Sequence, residues 1–507
     1  MNSKIKGIII CLVVVLCLGA TLLVLNFLPD KKDDSSSSSK ETSLAEDKIG
    51  DIALVSGISD ELDKTNVYKI ELKNSKGEFA VEQTSLGAEE WKIKALDGIN
   101  QSQTLYSAMA TTTGSLKAKK VVDENAADLS KYGLDDPTAE FTVTFHADGK
   151  DTVKSFLIGD VAPDKNYYYI CENGANKVYT VYASTVSYYF YAKEDFISLS
   201  MLSALPSDAD ETYFTSLTVK QRSRDYDIVF KTDDDLNNSM VSSQVMTSPI
   251  FSYLDITNSS VVTHGMWGLT AQRAVVAHPT EEDFEKYGLS DPLSTATLVC
   301  KDGTYVLKIG NCEYVKDSEG GDTSTVDGYY AYMTGVDGID VIYYCAADDL
   351  PWAAFKPDDV ISGLMTTNSV YKLKDVKVKT ADKDLTYTLT VSEKDSDGNQ
   401  TVEKVLENGK TEIDPEAWKS WYQLLIQCPT SELYFTDPES DTPDITINID
   451  LADGTGDVME LYKQTDRRYV VKLNSKTSFR IESGWVDAFI NGIDKIRSGE
   501  EVNADNY

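Results

Sequence analysis

The stretch KYGLDDP, Lys131–Pro137, returns further along the chain as KYGLSDP, Lys286–Pro292. The surroundings read DLSKYGLDDPTAEFTVTFHADG in the first copy and DFEKYGLSDPLSTATLVCKDG in the second. These residues describe a joint. Asp128 suits the N-cap of a short helical turn ending near Tyr132. Gly133 lacks a Cβ and fits the left-handed position that stops a helix. Leu134 supplies the apolar contact expected just past such a stop, and Pro137 bars helix at Asp136 and starts extended chain. Gly288, Leu289 and Pro292 repeat the pattern. The rival reading is a duplicated ligand or catalytic site. Asp135 becomes Ser290 in the second copy, which a shared carboxylate chemistry would not tolerate. A structural joint is therefore the expectation.

Outward from the joint, both copies keep one order. SFLIGD and NYYYICENGANKVYTVY follow the first; YVLKIGN and GYYAYMTGVDGIDVIYY follow the second. Each reads as strand, Asp-Gly turn, strand ending in Ile-Gly, aromatic strand, loop and strand. Both close alike, with KEDFIS (Lys193–Ser198) and PDDVIS (Pro357–Ser362). The polar DSEGGDTSTVDG, Asp317–Gly328, reads as a loop insertion in the second unit. A third stretch, YFTDPESDTPDITINIDLADG, keeps Asp437–Pro438 and the Asp453–Gly454 turn but has lost Tyr-Gly-Leu.

Hairpin patterns precede all three: VYKIELKNSKGEFAVEQ turning at Asn74–Gly77, SLTVKQRSRDYDIVFK from Ser216, and VYKLKDVKVKTADKDLTYTLTV from Val370. Helices are expected over Asn100–Thr112, near Ser248–Leu254, and over Asp414–Gln427, where Pro415 takes the first helical position. The expected class is α+β. Tandem repeated units of antiparallel sheet, each with one or two helices, occupy 66–210, 211–367 and 368–507, the last a degenerate cap.

The N-terminus predicts a membrane anchor. MNSKIKG (1–7) is short and positive, and Ile8–Leu28 runs 21 residues without charge. That length crosses a bilayer as a helix, and the preceding lysines put the stub in the cytoplasm. A cleaved signal peptide is the alternative, but its apolar region is usually shorter and no A-x-A site follows. Ile10 before Cys11 and Leu16 before Cys17 do not make a lipoprotein site. The Ser-rich, charged stretch after the anchor makes 29–65 a flexible extracytoplasmic linker.

At 507 residues the chain exceeds one ordinary core. Its net charge of -34 repels phosphates, which argues against a nucleic-acid partner. Outside the anchor the cysteines are Cys171, Cys300, Cys312, Cys345 and Cys428, with no C-x-x-C pair. Cys300 and Cys312 are placed to pair across a hairpin, although buried free thiols are the expectation. The three histidines, His146, His264 and His278, belong to no catalytic motif. Asp395, Asp397 and Asn399 alternate as calcium-loop oxygens do, and are the metal candidate; Asp-Gly between strands is equally a hairpin turn. No cofactor is expected. Tyr167, Tyr168 and Tyr169, matched with Tyr329, Tyr330 and Tyr332, form the candidate binding surface. Such rings stack on sugars, anchor a protein partner, or pack across a sheet.

Taken together, Tyr132–Pro137 with Ile158–Asp160 and Tyr167–Tyr169, and Tyr287–Pro292 with Ile309–Asn311 and Tyr329–Tyr332, resemble the domain-of-unknown-function 4340 family. The resemblance covers two copies, about 67–202 and 213–365, and extends into the third unit. That family has no established activity or catalytic residues to carry over. Its members often accompany auxiliary subunits of gliding-motility-type ABC transporters. The resemblance therefore implies a membrane-anchored, non-catalytic accessory protein of the cell envelope, with an ABC transporter component as partner. The alternatives are a surface module for glycan or wall polymer, and a hydrolase with an unrecognised site.

Overall fold

A computed structural model describes residues 52–55, 66–147, 149–233, 241–318 and 320–503. The expected stub, membrane helix and most of the linker lie outside them. Among the described residues no helix is long and apolar enough to cross a membrane.

Three large antiparallel sheets follow one another, and their strand order recurs. The first runs Trp91–Lys92, Gly77–Gln83, Val67–Asn74, Ala139–Ala147, Lys150–Val161, Tyr167–Glu172, Val178–Tyr182, Lys120–Asp123. The second runs Ser252–Tyr253, Gln244–Ser248, Ile228–Thr232, Phe214–Gln221, Ser294–Cys300, Gly303–Lys316, Asp322–Thr334, Val341–Ala346, Arg273–Ala277. The third runs Thr411–Ile413, Val402–Glu407, Asp384–Val391, Leu373–Lys379, Ile445–Leu451, Gly456–Thr465, Arg468–Leu473, Lys476–Glu482.

In each sheet the opening strand lies in the middle. It pairs with its own hairpin partner on one side and with the strand after the joint region on the other. Alternation explains the burial: Ile70 and Leu72, Leu217 and Val219, Val376 and Val378 all face the core. In the first two sheets the strand just before the joint crosses to the far edge and pairs with the last strand.

Helices Gln103–Gly114 and Pro415–Ile426 fall where expected, the latter with Asp414 accepting from the Ala417 N–H at 2.9 Å. The helix expected near Ser248–Leu254 is displaced. That stretch holds the strands Gln244–Ser248 and Ser252–Tyr253, and the helix is Ile256–Thr263. Asp255 caps it, accepting from the Asn258 N–H at 2.8 Å. Pro249 lies between those two strands.

One continuous hydrophobic cluster runs through all three sheets, from Leu54 to Val502. Backbone bonds tie the first unit to the second: Met201 N–H to Leu269 O and Ala271 N–H to Leu199 O, at 2.9 and 2.8 Å. The second and third meet at Asp457, which is 1% exposed. Its carboxylate accepts from Tyr253 Oη, Asn368 Nδ2 and Asn474 Nδ2 at 2.8, 2.7 and 2.9 Å.

Part of the expected linker belongs to the fold. Ile52–Ala53 pairs with Lys117–Ala118, Leu54 N–H donates to Leu116 O at 3.0 Å, and Val55 is fully buried. The insert Asp317–Gly328, read as a loop, is largely strand: it lengthens the hairpin Gly303–Lys316 and Asp322–Thr334.

Candidate functional site

The joint forms as its residues dictate. In the first unit Asp128 Oδ1 accepts from the Ser130 N–H at 3.0 Å and caps the turn Leu129–Tyr132. Gly133 then takes φ +65°, and Leu134 is buried. In the second, helix Glu281–Lys286 opens on a Thr280–Asp283 capping box, Gly288 takes φ +72° and Leu289 is buried.

The receiving surface is the Ile-Gly step, which lies inside its strand rather than at the end. A Cβ on Gly159 would sit 2.1 Å from Tyr132 O, and one on Gly310 2.2 Å from Tyr287 O. Conversely, a Cβ on Gly133 would lie 2.6 Å from the Asp160 carboxyl, and one on Gly288 2.3 Å from Asn311 Oδ1. Asn311 N–H donates to Tyr287 O at 2.8 Å. Tyr-Gly-Leu and Ile-Gly-Asp/Asn are thus two halves of one contact.

The third sheet makes the dependence visible. Ala139, Ser294 and Ile445 pair with Ile158, Ile309 and Leu461 respectively, so Tyr462 stands where Gly159 and Gly310 do. The joint and its receiving glycine are lost together. The same register makes Pro443, two residues before Ile445, the counterpart of Pro137 and Pro292. Asp437–Pro438, read as the retained motif, lies further upstream.

Register also realigns the tyrosines. Ile158 pairs with Ile170 and Ile309 with Ala331, so Tyr168 corresponds to Tyr329 and Tyr169 to Tyr330. Tyr169 and Tyr330 receive the joint tyrosines, with ring centroids 5.1 Å from Tyr132 and 4.5 Å from Tyr287. Tyr168 and Tyr329 face the other side: Tyr168 packs on Phe190 at 5.0 Å, and Tyr329 is buried. Tyr167 lies against Tyr182 at 4.8 Å. Tyr332 donates to Asp340 Oδ1 at 3.0 Å and meets Phe284 edge-on. Tyr330 donates to Glu313, which pairs with Arg273, whose guanidinium lies 3.9 Å from the Tyr344 ring. Burial, helped by these carboxylates, pushes the Tyr330 and Tyr332 phenols up to about 12. The six rings are divided between sheet faces and are engaged by the chain's own side chains.

The calcium-like stretch closes a turn. Asp395 Oδ1 accepts from the Asp397 and Asn399 N–H groups at 2.9 and 2.8 Å, and these bonds hold its carboxyl below the usual range. Among the described residues no group of three or more His, Cys, Asp or Glu is placed to hold a metal ion. His264 packs between Phe214 and Trp267, and burial lowers its pKa. His146 and His278 pair with Asp151 and Asp340. Cys171, Cys300, Cys312, Cys345 and Cys428 are all free; Cys300 pairs in register with Gly303 and Cys312 with Tyr329.

Sequence reasoning passed over a pair of adjoining clefts at the edge of the first sheet, about 510 and 630 Å³ in volume. They share Glu90, Trp91 and Gln103; Asn100, Ser198 and Ser200 line the first. Neither is lined by histidine or cysteine. Their amides hold the walls: Gln103 exchanges two 2.9 Å bonds with the Trp91 backbone, and Gln101 Oε1 accepts from Ile93 N–H at 2.8 Å and Tyr106 Oη at 2.6 Å. The isolated polar residues gave no motif by which to find them.

Residues 91–245 match the family described as Domain of unknown function (DUF4340). The match takes in the first joint, its receiving strand and the opening hairpin of the second sheet, and leaves out the hairpin Val67–Gln83. No curated protein and no solved structure matches the chain.

Proposed function

We propose that the protein is a single-pass, membrane-anchored, extracytoplasmic accessory protein of the cell envelope. It is a non-catalytic interaction module working beside an ABC-type transport system, with three copies of one unit. The observation that most supports this is the seating of Ile52–Val55 on the first unit. It leaves 23 residues, 29–51, between the apolar run and the acidic body. The Ser-rich, charged composition of that stretch is that of a tether. A body tethered to the bilayer would be suited to meeting a membrane-embedded partner. The test is affinity recovery from membranes with residues 1–50 intact and with them removed. Transporter subunits recovered only with the intact chain support the reading; equal function of the soluble chain refutes it.

A second reading, binding of glycan or wall polymer, draws on the adjoining clefts, whose walls combine amides and hydroxyls such as Asn100, Gln103 and Ser198 with the charged Glu90, Lys92 and Asp97. Wall fragments in the same recovery would favour it.

A further inference from the structure

At one register the first two sheets differ. Cys312 pairs with Tyr329 as Val161 pairs with Tyr168. Sixteen residues, 313–328, join the second pair where six, 162–167, join the first. The added chain extends the pairing with bulges: Glu313 pairs with Gly328, Tyr314 with Val326 and Lys316 with Asp322, the register shifting after Glu313 and again after Tyr314. The flanking strands stop short. Ser294–Cys300 pairs only as far as Ile309, and Val341–Ala346 only as far as Gly328. A two-stranded ribbon therefore projects, and among the described residues no strand pairs with its outer edges. Tyr314 and Val315 are 41% and 38% exposed.

We infer that this ribbon docks an extended, cationic segment of a partner protein by strand addition. Uncovered strand edges are templates for pairing, which gives main-chain hydrogen bonds to any extended peptide. Charge selects the occupant. The ribbon strands carry Glu313, Asp322 and Asp327 against Lys316, on a chain of net charge -34; Glu313 pairs with Arg273, Asp322 with Lys316, and Asp327 accepts from Tyr344 Oη at 2.7 Å. A second copy of the chain would bring the same acidic surface and be repelled. A strand bearing Lys or Arg adds cationic donors to these carboxylates, each of which has lone pairs beyond its present partner, while its apolar side chains lie over Tyr314 or Val315. The inference rests on the interaction-module reading and gives it a surface and a partner chemistry.

The test uses the full chain in nanodiscs and a labelled ten-residue peptide alternating Lys and Val. Binding is read by fluorescence anisotropy, and its location by amide hydrogen exchange. Protection is expected over 312–316 and 322–327. Replacing 313–328 by Ala-Pro-Asp-Lys-Asn-Tyr, the sequence of 162–167, is expected to weaken binding about tenfold or more. Thr325→Pro, which blocks the edge without removing it, is expected to do the same, and a Glu/Val peptide is expected to bind as poorly. No binding to the full chain, equal binding to both variants, or protection elsewhere would overturn the inference. Membrane recovery with the trimmed chain separates the two ideas. Transporter subunits still recovered sink the ribbon alone. Probe binding at the ribbon without transporter recovery sinks the accessory reading alone.

Discussion

The carbonyl oxygen of Tyr132 lies so close to Gly159 that a Cβ there would sit 2.1 Å away. Tyr287 and Gly310 repeat this at 2.2 Å. One contact is thus written into two distant motifs, and neither half has meaning without the other. Gly159→Ala is expected to cost about 1–3 kcal/mol through overpacking against backbone. Gly133→Ala is expected to cost a similar amount, because it adds positive-φ strain to a clash with Asp160. Gly149→Ala, at φ +71° with nothing nearby, should cost only about 1 kcal/mol. Urea midpoints rank the three, and a wild-type midpoint for Gly159→Ala would refute the joint.

Asp457, in the third unit, reaches the second through the Tyr253 hydroxyl and braces its own unit through Asn368 and Asn474. Asp457→Ala removes the acceptor shared by Asn368, Asn474 and the Tyr253 hydroxyl, and is expected to cost about 3 kcal/mol. Limited proteolysis should then release a fragment near 368–503 before the rest is cut. Unchanged cleavage order would show that the apolar contacts alone suffice.

A soluble chain starting at residue 51 should be more stable than one starting at 66. The longer chain keeps Leu54 and Val55, both buried. Losing them removes about 2–4 kcal/mol of apolar burial. Thermal melts of the two fragments measure the difference, and coincident melts would mean the segment adds nothing.

Burial raises the phenols of Tyr106, Tyr189, Tyr343, Tyr387 and Tyr422 above their ordinary value near 10. In the unfolded chain they ionise near 10, so their contribution is intact below that pH and declines above it. Each is expected to subtract about 1.4 kcal/mol per pH unit beyond 10 while it stays protonated in the fold. Absorbance at 295 nm and far-UV circular dichroism should therefore change together in one alkaline transition. Full tyrosine ionisation with the fold intact would contradict this.

The sequence made the joint and the central strands legible because glycine, proline and period-two alternation act locally. Ile256–Thr263 was hidden because ITNSSVVT is rich in β-branched and polar residues, so only the Asp255 cap marks it. The ribbon was hidden because its polar residues resemble a loop, while its pairing is decided across strands. Pro443 and the Tyr168–Tyr329 match needed register, which no linear spacing supplies. The clefts needed tertiary structure altogether.

The middle position of each opening strand has a consequence in time. Leu72 pairs with Phe141, Leu217 with Leu298, and Val376 with Ile449. While the chain is being made, each opening hairpin waits with one long edge bare until the strand beyond the joint region emerges. Only then does the sheet close, and such late, distant closure is slow. The joint that stops one element and starts the next thus also ends the interval in which that bare edge is open to the wrong neighbour.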